Sequence, residues 1–129
     1  MGLGGNVEFV GYVPQKMLAV YYNSCSLFVL PSTDPTRETF GIVLLEAMAC
    51  EKPVVATEIA GAAEDIKANK AGLVVSPGDK EKLAEAMLCI LNNQDLAAKM
   101  GSMGRRMVEE KYNWRRVAEQ TSELYEELV

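Results

Sequence analysis

The stretch Gly41-Ile-Val-Leu-Leu-Glu-Ala-Met-Ala-Cys-Glu-Lys-Pro-Val-Val-Ala-Thr57 decides the fold of this chain. Residues 42–50 are apolar on nearly every side, which is typical of a buried helix. Residues 53–57 predict a strand with proline at its first position, where a sheet tolerates the missing N–H. A buried helix that leads into a buried strand is the repeating unit of an α/β protein.

Short β-branched runs and longer helical runs alternate on both sides of this stretch. The runs that predict strands are 7–10, 27–30, 53–57 and 72–75. The runs that predict helices are 14–24, 42–50, 62–68, 80–92, 94–111 and 115–128. The alternation predicts a Rossmann-like parallel sheet of about four strands with flanking helices and right-handed crossovers, followed by a tail of three helices.

The composition excludes several kinds of site. The chain has 129 residues and a formal net charge of −5, and its basic residues form no stripe, so we expect no nucleic-acid partner. It contains no histidine, which excludes a Ser-His-Asp triad and a histidine-based zinc site. The three cysteines lack metal-ligand spacing and are expected to be reduced in a cytoplasmic protein. No apolar run is long enough for a transmembrane segment, while contact with a membrane surface stays undetermined.

Glu46 is the polar residue in the middle of the apolar helix. A buried carboxylate needs solvent, a partner or a ligand, because an unpaired one costs several kcal/mol. One interpretation is that Glu46 occupies the single exposed position or pairs with a cation. The other is that its two oxygens accept hydrogen bonds from a neutral diol, and the 2′,3′-diol of ribose fits that demand.

The segment before this helix has the features of a phosphate site. Ligands of open parallel sheets bind beyond the carboxyl ends of the strands, where the loops of residues 31–41 and 58–61 lie. The amides of Phe40, Gly41 and Ile42 are at a helix N-terminus, where unpaired N–H groups and the helix dipole favour phosphate. A diphosphate at these amides and a ribose at Glu46, one turn along the helix, would together form a nucleotide site. Glu38 precedes the helix and is either a solvated loop acid or close to the group that such a diphosphate carries.

The ordered set of motifs resembles the carboxyl-terminal, donor-binding domain of retaining GT-B glycosyltransferases of glycosyltransferase family 4 and the glycogen-synthase type. The resemblance extends from about Asn6 to the end of the chain. Its motifs are Pro31-Ser, Glu38-Thr-Phe-Gly, Glu46-Ala-Met-Ala, Pro53-Val-Val-Ala-Thr, Gly72-Leu-Val-Val and Tyr112-Asn-Trp114. It implies a nucleoside diphosphate sugar as the donor, transfer of a hexose-type sugar with retention of configuration, and no metal or other cofactor.

The resemblance also implies a role for each site residue. Glu38 would act as the catalytic residue that contacts the donor sugar near its reacting carbon, and Glu46 would hold the ribose hydroxyls. The remaining donor-binding residues would be Ser32, Phe40, Gly41, Ile42 and Gly61.

The chain departs from the family pattern at two turns. Glu51 stands where such domains usually have glycine, and a left-handed backbone there would cost about 1–2 kcal/mol. Ala60-Gly61 stands where they usually have a pair of glycines. Because of these two changes, the sequence does not determine the shape of the donor pocket.

A third departure concerns the sheet. Members of the family have two further βα units before the strand of residues 7–10, and a separate acceptor domain, so residues 1–129 are expected to form a partial domain. In the family strand order, 3-2-1-4-5-6, the edge of residues 27–30 would then be bare. We expect either that the strand of residues 7–10 moves beside it, or that a second copy or another chain fills the gap.

The missing units leave two functions open. The chain is either the donor-binding part of a glycosyltransferase, inactive alone, or a non-catalytic nucleotide-sugar-binding subunit that acts with a separately encoded partner. A signalling receiver domain has a similar length but needs an acidic pair after its first strand. Here Val10 is followed by Gly-Tyr-Val, which argues against it.

Overall fold

The computed structural model describes residues 5–36, 41–112 and 122. Strands and helices alternate through the first two thirds of this part of the chain, and two helices follow. The elements are α1 (Gln15–Ser24), β1 (Phe28–Leu30), α2 (Ile42–Ala49), β2 (Val54–Thr57), α3 (Ala63–Ala68), β3 (Gly72–Val75), α4 (Lys80–Leu91) and α5 (Gln94–Lys111).

The described strands form one parallel sheet in the order β1-β2-β3. Val55 pairs with Val29 on one side and with Leu73 on the other. All four residues of β2 are buried, as expected of the central strand. The predicted α/β class is confirmed, and of the predicted helix of residues 115–128 only residue 122 lies within the described part of the chain.

The prediction of a strand at residues 7–10 is wrong. These residues have no regular structure, and the exposed fractions of Val7 and Phe9 are 51% and 96%. The described sheet therefore has three strands. A strand needs a neighbour to satisfy its backbone N–H and C=O groups, and the β-branched pattern of this segment does not supply one. Because the segment does not pair with β1, the expectation that it moves to that edge is also wrong.

The core lies on both faces of β2. On one face, Val54 and Ala56 pack in a cluster with Leu44 and Met48 of α2. On the other face, Val55 packs with Ile90 of α4 and with α5. The sheet and α5 cover Leu44, Ala47 and Met48 of α2, whereas Ile42 and Val43 at its amino end are exposed at 65% and 37%.

Two glycines of α5 let α2 approach closely. A Cβ atom built on Gly101 would lie 2.2 Å from the carbonyl oxygen of Glu51. A Cβ atom on Gly104 would lie 3.0 Å from Cγ of Met48. Position 101 therefore excludes any side chain, because real Cβ atoms do not come that near to a backbone oxygen.

Helix α2 ends in a Schellman motif although no glycine is present. Glu51 has a φ of 59°, in the left-handed region. Its N–H donates to the Met48 carbonyl at 2.9 Å, and the N–H of Lys52 donates to the Ala47 carbonyl at 3.1 Å. The turn at which Glu51 stands in place of the usual glycine is therefore formed in the usual way, with a strained residue at its left-handed position.

A polar contact joins α3 to the end of α5. Asp65 accepts hydrogen bonds from Lys111, at 2.6 Å, and from the Tyr112 hydroxyl. The hydrogen bond from Lys111 is the main cause, and that from Tyr112 the second, that holds the pKa of Asp65 below its ordinary value. Asp65 is therefore ionised over the whole neutral range and keeps this contact charged.

We expect Glu51→Gly to stabilise the chain by about 1 kcal/mol, since glycine removes the left-handed strain at a small cost in chain entropy. Urea unfolding followed by circular dichroism measures the change. The matched control is Ala84→Gly, an exposed position inside α4 with ordinary helical geometry. That control should lose about 1 kcal/mol. Equal effects of the two substitutions would contradict the strain at Glu51.

We expect Lys111→Met to lower the free energy of unfolding by about 0.5–1 kcal/mol at pH 7, because the ion pair is half-exposed. The pKa of Asp65 is lower in the folded state, so the pair stabilises above the unfolded value of about 3.9 and loses its effect as the pH falls below it. The difference from wild type should therefore shrink below about pH 4 in urea titrations. Lys99→Met, on the same helix, should show no such pH dependence.

Candidate functional site

The amino end of α2 lies at the carboxyl edge of the sheet and is open. Gly41 is buried and has a φ of 86°, a conformation that favours glycine. No described side chain caps this end of the helix, and its first turn carries no acidic residue. The exposed fraction of Ile42, the first helical residue, is 65%. The Leu44 N–H donates to the Gly41 carbonyl at 2.9 Å, which leaves the Ile42 and Val43 amides as the first-turn donors for an anion. The roles of Gly41 and Ile42 in binding a phosphate stay predictions.

Glu46 lies one turn further along the same face of α2 as Ile42. It is half-buried, and its Oε2 accepts a hydrogen bond of 2.7 Å from the Tyr22 hydroxyl of α1. Within residues 5–36 and 41–112, it forms no ion pair and its Oε1 accepts no hydrogen bond. The structure therefore shows neither a fully exposed carboxylate nor one neutralised by a described cation.

A cleft between α1 and α2 runs along Glu46. Its volume is about 280 Å³. The residues that line it are Gln15, Leu18, Ala19, Tyr22, Glu46, Ala49 and Cys50. The lining is mainly apolar with a carboxylate, a phenol and an amide, which is the composition of a small-molecule site.

Tyr22 is held in place before any ligand arrives. Its exposed fraction is 8%, and its ring meets that of Phe28 edge-on, with centroids 5.4 Å apart. Burial, and then the hydrogen bond to Glu46, raise the pKa of the Tyr22 hydroxyl above its ordinary value. The phenol therefore stays protonated at neutral pH and donates to the carboxylate.

Ser32 is tied to the neighbouring strand through its backbone. The buried Thr57, the last residue of β2, donates a hydrogen bond of 2.7 Å from its hydroxyl to the Ser32 carbonyl. A cavity of about 160 Å³ opens beside this bond at the ends of the strands, and Thr33, Thr57 and Asp79 are among its lining residues. Ser32, Gly41, Ile42 and Gly61 line neither this cavity nor the cleft at Glu46.

Gly61 lies in the turn between β2 and α3 and is exposed. Ala60, the second departure from the family pattern, is buried with an exposed fraction of 3%. The turn is closed by hydrogen bonds from the Ala60 N–H to the Thr57 carbonyl and from the Ala63 N–H to the Ala60 carbonyl. The Ala60 methyl group thus fits into the core, and the turn forms without a second glycine.

The predicted site residues fall into three groups. Ser32, Gly41, Ile42 and Gly61 lie at the carboxyl edge of the sheet, and Glu46 lies one helical turn away from it. Glu38 and Phe40 lie outside the described residues, so their roles stay predictions.

Tyr22 and Thr57 were not predicted from the sequence. Each has a weak sequence signal: Tyr22 is a polar aromatic residue in a helix that must pack on the core, and Thr57 ends an otherwise apolar strand. Their partners, Glu46 and Ser32, lie 24 and 25 residues away, and sequence spacing alone does not identify such pairs.

Two further features, a metal site and a membrane-spanning helix, are absent from the described part of the chain. No group of three or more Cys, Asp or Glu side chains among those residues is arranged to hold a metal ion. No helix among them is long and apolar enough to cross a membrane.

Similarity to known proteins assigns the family of this chain. The model of the family "Glycosyl transferases group 1" matches residues 1–107. The chain belongs to this family. An uncharacterized glycosyltransferase of Methanocaldococcus jannaschii is 32% identical over 123 residues, which are 95% of this chain and 34% of that protein. The chain spans about a third of the length of the curated relatives it matches.

Solved structures of glycosyltransferases share the fold. Sucrose-phosphate synthase from Thermosynechococcus elongatus is 38% identical and superposes with a TM-score of 0.84, over 98% of this chain and 31% of that one. Anabaena HepE in complex with UDP-glucose is 27% identical, with a TM-score of 0.84 over 98% of this chain and 34% of that one. The expected fold, an incomplete carboxyl-terminal domain of the GT-B type, is confirmed.

We expect Thr57→Val to lower the free energy of unfolding by about 0.5–1.5 kcal/mol, because it keeps the shape of the side chain and removes the hydrogen bond to the Ser32 carbonyl. Chemical denaturation measures the loss. The matched control is Thr33→Val, an exposed threonine at the same edge, which should change stability by less than about 0.5 kcal/mol. Similar values for both variants would show that the Thr57 hydrogen bond does not hold the loop.

Proposed function

We propose that this chain is the donor-binding part of a retaining glycosyltransferase that transfers a hexose-type sugar from a nucleoside diphosphate sugar to an acceptor. The chain alone would bind the donor without completing the transfer. In this proposal residues 1–129 form a partial nucleotide-sugar-binding domain of a cytoplasmic protein. The family supports the class of reaction, and a relative solved with UDP-glucose supports the class of donor.

The placement of Glu46 on α2 is the observation that carries the proposal. The uncapped amino end of this helix offers N–H groups to a diphosphate, and Glu46 follows one turn later on the same face. One turn of helix rises by about 5.4 Å, which is close to the separation of a ribose ring from its diphosphate. The carboxylate has an oxygen without a described donor, as a ribose diol requires.

The remaining residues take supporting roles in this proposal. The amides of Phe40, Gly41 and Ile42 hold the sugar and the diphosphate, and Ser32 and Gly61 form walls of the donor pocket. Glu38 contacts hydroxyl groups of the donor sugar near its reacting carbon. Because loops at the strand ends carry these residues, the site has the position that open parallel sheets favour.

The chemistry requires no base from this chain. The bond between the anomeric carbon and the diphosphate oxygen breaks, and a bond from the acceptor oxygen forms on the same face of the sugar. The acceptor's proton passes to the departing diphosphate oxygen. The amides at the end of α2 stabilise the negative charge that develops on that oxygen. The configuration of the sugar is retained because the incoming and departing oxygens share one face.

A second candidate is a non-catalytic nucleotide-sugar-binding subunit that acts with a separately encoded partner. Two surfaces favour a partner of some kind. The segment of residues 7–12 exposes Phe9 and Tyr12 almost fully, and one edge of β1 pairs with no described strand. An assay of this chain for release of sugar from UDP-glucose, with and without a separately encoded partner protein, separates the two candidates. Activity that requires a second chain supports the subunit.

We expect Glu46→Ala to weaken the binding of a nucleoside diphosphate by about 10- to 100-fold, since hydrogen bonds to a charged group are worth about 1.5–3 kcal/mol. Isothermal titration calorimetry with UDP and with GDP measures the loss. Glu85→Ala, an exposed glutamate on α4, is the matched control and should bind like wild type. Equal affinity of Glu46→Ala and wild type would rule out the ribose assignment.

A further inference from the structure

We propose that Tyr22 is a positioning residue that fixes the Glu46 carboxylate for a vicinal diol, and so makes the site select ribonucleotides over 2′-deoxyribonucleotides. The inference rests on the proposed function, because it takes Glu46 as the ribose ligand. It adds a residue from a different helix, α1, which sharpens the preference for a ribose diol that the Glu46 carboxylate itself gives.

The geometry of the pair supports a positioning role. The Tyr22 hydroxyl lies 2.7 Å from Oε2 of Glu46, which is an ordinary strong hydrogen bond to a carboxylate. Tyr22 itself is buried, and its ring rests on Phe28 of β1. Tyr22 thus links the orientation of the carboxylate to strand β1 of the sheet.

The number of acceptor sites that remain fits a diol. A carboxylate offers about four lone-pair sites on its two oxygens. Tyr22 occupies one of them on Oε2, and within residues 5–36 and 41–112 no other group donates to Glu46. Two hydroxyl groups of one ribose can therefore be received, one at each oxygen. A 2′-deoxyribose offers only one and leaves part of the desolvated carboxylate unsatisfied.

Without the phenol, the Glu46 side chain gains freedom to rotate in the cleft between α1 and α2. A ligand must then order that side chain on binding, which costs about 0.5–1.5 kcal/mol. This predicts a two- to tenfold loss of affinity for a ribonucleotide. The loss for a deoxyribonucleotide should be smaller, because a single hydroxyl does not need both oxygens in fixed positions.

The test is calorimetric titration of wild type, Tyr22→Phe, Glu46→Ala and the double variant with UDP and with 2′-deoxy-UDP. We expect wild type to prefer UDP, and Tyr22→Phe to lower the ratio of the two affinities by at least twofold. In the Glu46→Ala background, Tyr22→Phe should have no effect on either ligand. Tyr21→Phe is the matched control: Tyr21 is the next residue on α1, is exposed at 46%, and should keep the wild-type ratio.

The outcomes separate this inference from the proposed function. If wild type binds UDP and 2′-deoxy-UDP equally, or binds neither, the ribose assignment of Glu46 fails and this inference fails with it. If wild type prefers UDP but Tyr22→Phe keeps the ratio, Tyr22 only joins two helices, and the proposed function stands.

A second variant keeps the test valid should Tyr22→Phe not fold, which circular dichroism would show. Phe28→Leu removes the ring that the Tyr22 ring contacts, while Tyr22 keeps its hydroxyl. It should lower the same ratio by a smaller factor. An unchanged ratio in a folded Phe28→Leu protein would show that the sheet does not set the orientation of the carboxylate.

Discussion

The burial of α2 between the sheet and α5 is the constraint on which the rest of the structure depends. Leu44, Ala47 and Met48 are fully buried, so neither the helix nor its neighbours have space to shift. The chain must enter and leave this packed position through sharp turns. Gly41 and Glu51 accordingly have left-handed backbones at the two ends. The only polar side chain of the helix, Glu46, lies on the part of its surface that meets the cleft.

The same constraint explains why the fold was predictable. The apolar helix of residues 42–50 and the strand of residues 53–57 indicated a buried α/β core, and the alternating β-branched and helical runs on both sides predicted the other elements. The predicted strand of residues 72–75 and helix of residues 94–111 coincide with β3 and α5. The segment of residues 7–10 has the right residues for a strand, but the described sheet offers it no partner. Pattern alone does not contain that information.

The site was predictable only in part. Sequence indicated that Glu46 needs a partner or a ligand, because a carboxylate in an apolar helix has few alternatives. It did not identify Tyr22, since the packing of α1 against α2 decides which of two adjacent tyrosines points inward. Thr57 was missed for a similar reason, as its acceptor is a backbone carbonyl that no side-chain pattern marks. The sequence also did not show that Glu51 adopts the left-handed conformation usual for glycine. At that position the Glu51 backbone packs closely against Gly101.

The contact between Gly101 and the Glu51 carbonyl has a consequence for how the chain tolerates mutation. A side chain at residue 101 would push on the end of α2, and a helix of eight residues moves as one piece. Glu46 would move with it, and its hydrogen bond from the Tyr22 hydroxyl would be disturbed. A random-mutagenesis screen for weakened nucleotide binding should therefore return residue 101, on a helix that does not line the cleft. Residue 51, whose side chain is exposed, should accept many replacements in the same screen.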